Sequence, residues 1–138
     1  MVKKQQKSWV YSPGKPQPAT VPATLKAEVE RRAQELLETV LKPKYIQPPP
    51  ENPQFNYVMD IYTKWYRSYF YFIAKYRVVG PYAIAPSFES KFARLAYAGN
   101  NKFNLAYMRH TEQWADIFYD LSLDECLKSV AEDPTFSL

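Results

Sequence analysis

Proline placement constrains this chain more than any other feature. Nine of the twelve prolines precede position 54, and only Pro81, Pro86 and Pro134 follow it. Proline removes a backbone donor and fixes φ, so long ladders and uninterrupted helices are confined to where it is absent. The first 21 residues, with Pro13, Pro16 and Pro18, therefore read as a non-globular arm, and residues 22–138 as a single domain. At 138 residues there is room for one hydrophobic core and not two.

Within the domain, the only proline-free stretch before position 43 carries a helical period. Leu25, Val29, Ala33, Leu36 and Val40 recur at 3–4 spacing, widened by Leu37 and Leu41, and predict a helix over 22–42. Pro22 suits its first turn and Pro43 is expected to end it. Residues 43–53, with Pro48, Pro49 and Pro50 in a row, predict a stiff polyproline connector. From there to residue 119 the period changes to two. Strands are predicted over 55–62, 69–78, 90–98, 102–110 and 113–119. Phe55, Tyr57, Met59 and Ile61 form the inner face of the first, and Phe70, Phe72, Ala74, Tyr76 and Val78 that of the second. An aromatic-rich helix over 58–77 is the alternative, disfavoured by its many β-branched and aromatic residues. Gly99-Asn100-Asn101 is a hairpin signal, and Thr111-Glu112 a short turn. Ser122 and Glu125 have capping-box spacing ahead of a helix over 122–132 with the stripe Leu123, Cys126, Leu127 and Val130. The fold class is α+β: an N-terminal helix, about five antiparallel strands and a C-terminal helix.

The segment Lys91-Phe92-Ala93-Arg94-Leu95-Ala96-Tyr97, then Phe103 to Arg109, Trp114, Leu121 to Leu127, and Asp133-Pro134 with Phe136 resembles a family of short bacterial proteins catalogued only as a domain of unknown function. The resemblance spans roughly residues 54–136 and leaves out the arm and the connector. It departs from the family pattern at Lys64-Trp65-Tyr66-Arg67, where a plainer turn is expected. It implies the α+β architecture and a bacterial source, and no activity.

Several chemistries find little support. One cysteine, Cys126, excludes a disulfide framework and points to a reducing cytoplasm. A lone His110 with that cysteine makes no zinc site, and three scattered glycines make no phosphate-cradling loop, so no metal and no cofactor is expected. No apolar run is long enough to span a membrane. Cys126 falls on an apolar stripe and reads as a small core residue. Arg109, His110 and Glu112 could form a small polar site, though an exposed turn is the simpler reading. Asp60 and Asp116 could form a carboxylate pair, though each fits better as the partner of a strand cation.

Binding remains. Aromatic residues make up 17% of the chain, including 12 Tyr. Residues 64–109 carry eight cations against the single acid Glu89, whereas 112–133 carry seven acids against Lys128. Their closeness in sequence predicts partial neutralisation. Lys64, Trp65, Tyr66, Arg67, Tyr69, Tyr71, Lys75 and Arg77 interleave cations with rings, the mixture that holds phosphates and stacks bases in single-strand binders. Nucleic acid is thus the first candidate ligand of a non-catalytic domain. The alternative is an interaction subunit that meets a protein partner, or a second copy, through the Tyr-rich face and the arm cluster Trp9, Val10 and Tyr11.

Overall fold

A computed structural model describes residues 20–48, 51, 54–80 and 85–138. The arm cluster Trp9-Val10-Tyr11 lies outside the described residues, as do Pro49, Pro50 and Pro53 of the connector and Pro81.

The N-terminal helical segment opens as α1 (Ala23–Leu36), with Pro22 in the capping position. Val29, Ala33, Leu37 and Leu41 form its fully buried seam. Val40, expected on that seam, is exposed instead, because a π turn over Leu37–Leu41 widens the helix there. The expected stop at Pro43 is also corrected: a further turn, α2 (Lys42–Tyr45), carries Pro43 in its first turn. The Lys42 N–H reaches back five residues to the Leu37 carbonyl. The wider turn means that the proline's missing N–H and bulky ring break no regular α-helical repeat.

Five strands follow: β1 (Tyr57–Tyr66), β2 (Tyr69–Arg77), β3 (Ser87–Gly99), β4 (Lys102–Met108) and β5 (Trp114–Leu121). They form one antiparallel sheet in the order β1-β2-β3-β4-β5, so each pairs with its chain neighbour. Residues 58–77 are thus a hairpin and not a helix. The β1–β2 turn is two residues long and puts Arg67 at φ 56. The β3–β4 turn uses Asn100 and Asn101 at φ 52 and 58, the pair of left-handed residues a tight hairpin requires.

The expected inner face of β1 is corrected. A register shift between Val58 and Asp60 bulges the strand at Met59 and reverses the alternation upstream of it. Val58, Ile61 and Trp65 face the core, whereas Met59 is exposed and Phe55, ahead of the strand, is 81% exposed. On β2 the predicted face holds, with Phe70, Phe72 and Ala74 buried and Tyr76 stacked on Phe88 at 5.1 Å. β4 ends two residues earlier than expected. There the Arg109 N–H bonds to the Gln113 carbonyl (2.8 Å) and the Glu112 N–H to the Arg109 carbonyl (2.8 Å), closing a turn that contains His110.

The chain closes with α3 (Leu123–Glu132) and a short 3-10 turn (Pro134–Phe136). The capping box is complete: Glu125 N–H donates to Ser122 Oγ at 3.2 Å, and Ser122 N–H donates to Glu125 Oε1 at 2.8 Å. The Ser122 backbone N–H, aided by its hydroxyl, holds the Glu125 carboxyl below its ordinary range. Replacing Ser122 with Ala should lower the unfolding free energy by about 1 kcal/mol in urea titrations, since it orphans a helix N–H.

Both helical segments pack on one side of the sheet. Val29, Ala33, Leu37 and Leu41 meet Cys126, Leu127, Val130 and Phe136 over Ile61, Phe70, Phe72, Leu95, Phe103 and Leu105. Arg32 pairs with Asp124 across the two helices. The result is a two-layer sandwich with the opposite sheet face left uncovered by any described element.

Candidate functional site

Alternation decides what the open face presents. Because Phe70, Phe72 and Ala74 point into the core, Tyr69, Tyr71, Ile73, Lys75 and Arg77 of β2 point the other way. Register then carries this choice to the neighbours. Lys64 lies opposite Tyr71, Tyr71 opposite Arg94, Arg94 opposite Ala106, and Ala106 opposite Asp116. These five residues form one row across all five strands.

Arg94 is the centre of that row. Its side chain is only 16% exposed and lies toward Asp116, with Nη2 at 3.3 Å from the carboxylate. The small Ala106 between them leaves space for this path. The guanidinium stands 4.7 Å from the ring centre of Tyr69 and 5.1 Å from that of Trp114. Tyr71 sits 5.7 Å from Trp114 and 6.2 Å from Tyr69, and Lys91 Nζ lies 4.8 Å over the Tyr71 ring. Such contacts contribute about 0.5–1 kcal/mol each at exposed sites and more when desolvated. Arg94 therefore holds two rings in place while its charge is balanced by Asp116.

Burial raises the Tyr71 hydroxyl above its ordinary pKa, with the Arg94 charge opposing it. On the same face burial, supplemented by Glu89, pushes the Tyr62 hydroxyl up to about 12. Both phenols stay neutral at physiological pH, so neither weakens the positive character of the face. Among the described residues Lys64, Arg67, Lys75, Arg77 and Lys91 make no ion pair, whereas the two acidic-segment residues that do, Asp116 and Asp124, go to Arg94 and Arg32. Neutralisation between the basic and acidic segments is therefore partial: it reaches the middle of the face at Arg94 and leaves the β1–β2 side cationic.

Seven of the eight residues singled out from the sequence share this region. Lys64, Tyr66, Tyr69, Tyr71, Lys75 and Arg77 lie on the open face, and Arg67 at the turn joining its first two strands. Trp65 does not: it faces the helices, where Nε1 donates to the Lys26 carbonyl at 3.3 Å and the ring sits 5.0 Å from Phe70. Sequence reasoning did not include Lys91, Arg94 and Trp114 in the site. A register shift between Phe72 and Ile73 breaks the simple alternation of β3, and Trp114 reaches the cluster only through pairing of distant strands.

The other candidates separate. Asp60 and Asp116 lie on the two edge strands, four strand spacings or roughly 19 Å apart, too far to share a proton or flank one bond. Asp116 pairs with Arg94, as the cross-strand reading expected, and Asp60 lies 3.8 Å from Lys42 Nζ and opposite Lys75. Cys126 is fully buried, and burial pushes its thiol up to about 12, so the nucleophilic thiolate is scarce at neutral pH. Arg109, His110 and Glu112 are exposed on the β4–β5 turn, which backbone hydrogen bonds close.

A family model described as a domain of unknown function, DUF3024, matches residues 21–137. The match begins earlier than the sequence resemblance suggested and takes in the first helix and the proline connector. No curated protein and no solved structure matches the chain.

Proposed function

The chain belongs to the DUF3024 family, and from that premise, which brings no activity with it, we propose that this is a non-catalytic domain that binds single-stranded nucleic acid on its open sheet face. The observation that carries the reading is Tyr71 with Lys64 opposite it and Lys91 Nζ 4.8 Å over its ring, which sets cation, ring and cation across three strands. Tyr66, Tyr69 and Trp114 extend the ring surface to either side, and Lys75 and Arg77 add positive charge that makes no ion pair among the described residues. Sheet faces with exposed rings stack unpaired bases, and flanking cations hold the phosphates without reading sequence.

Fluorescence anisotropy with labelled single-stranded and duplex oligonucleotides at about 50 and 200 mM salt tests this. Single strands should bind more tightly than duplex, and their affinity should fall steeply between the two salt concentrations. No binding at low salt overturns the proposal. A protein partner on the same face is the second reading, favoured by the Tyr and Trp content that also anchors protein interfaces. It gains the field if oligonucleotides fail to bind.

A further inference from the structure

Resting on the reading of the open face above, we propose that the cleft of about 300 Å³ bounded by Lys64, Tyr66, Tyr71 and Lys91 is the subsite for one nucleotide of the bound strand. The phosphate sits between the two ammonium groups and the base lies against Tyr66. Tyr71 forms the floor, and its two neighbouring strands each supply a cation. Lys64 stands directly opposite it on β1, and Lys91 Nζ lies 4.8 Å over its ring from β3. The two backbones are two strand spacings apart, roughly 9.6 Å, a gap that two flexible lysine stems can close onto one anion.

The chemistry of the lining favours an anion with an attached ring. Among the described residues no carboxylate lines the cleft and neither lysine makes an ion pair. The Tyr71 hydroxyl stays protonated and can donate to a phosphate oxygen. Tyr66 is 53% exposed, so its ring retains area for a base. Clefts of this volume lie at the small end of ligand sites, which suits a single nucleotide and excludes a base pair.

The test is the salt dependence of oligothymidylate binding by the full chain. In Lys64→Gln/Lys91→Gln, two lost phosphate contacts should reduce the slope of log affinity against log salt by about 1.4. Lys44→Gln/Lys128→Gln, two cations on the helical side, should leave it unchanged. Tyr66→Leu should weaken binding about 5- to 150-fold at every salt concentration with the slope preserved, since it removes stacking and no charge. All these positions are exposed, so folding is not at stake. If the cleft and control pairs change the slope equally, or neither does, while the wild type still binds, the cleft subsite is overturned and the broader reading survives. If the wild type does not bind at low salt, both fail.

Discussion

Phe70→Ala should lower the unfolding free energy by about 3–5 kcal/mol, measured as a shift of the urea midpoint at unchanged slope. Phe70 has no exposed surface. Its ring meets Trp65 at 5.0 Å and Phe72 edge-on at 5.6 Å, so truncation removes contacts on two sides. Its strand, β2, is held by ladder hydrogen bonds to β1 and β3 and cannot collapse into the space, so most of the cavity cost persists. Against a typical 5–15 kcal/mol for a domain, this is about a fifth or more of the total. A loss below about 1 kcal/mol would show that the Phe70 site relaxes freely, contradicting the packing described. Phe70→Leu, which keeps most of the volume, should recover more than half of the loss.

Charge reversal at Lys64, Arg67, Lys75 and Arg77 to Glu should weaken single-strand binding about a thousandfold or more at about 50 mM salt. Each lost phosphate contact removes about 0.7 from the salt slope of a single strand, and reversal adds repulsion to that loss. The fold should survive, because none of the four is buried and none makes an ion pair among the described residues. Lys75 is the exception to watch: it lies opposite Glu89, so Lys75→Glu places two carboxylates face to face on neighbouring strands. A triple reversal that spares Lys75 separates lost binding from lost stability. Far-UV circular dichroism should be unchanged in the triple variant. Affinity retained within tenfold in a folded triple variant would overturn the assignment of the ligand to this face.

Short-range chemistry was legible from the residues themselves. The box at Ser122 and Glu125 and the left-handed turn at Asn100-Asn101 depend on groups at most a few residues apart, so the same local physics acts in the chain and in the fold. The inner face of β2 was legible because its alternation from Phe70 to Tyr76 runs without interruption. Three readings failed where a single inserted residue or a widened turn changed the phase. The bulge at Met59 turned the start of β1 over, the π turn at Leu37–Leu41 put Val40 in solvent, and the same segment let the helix run past Pro43. Neither device has a strong compositional signature, because each costs little locally and is decided by what the element packs against.

The candidate site divides along the same line. Proline placement, hydrophobic period and turn chemistry by themselves determined an α+β domain whose second strand carries rings and cations on one face. Which strands stand beside that face, and therefore that Arg94 and Trp114 join it while Trp65 leaves it, was decided by the tertiary structure alone. The physical reason is register. A one-residue slip sends a side chain to the opposite face, and register across five strands is set by the joint packing of the sheet against its helices.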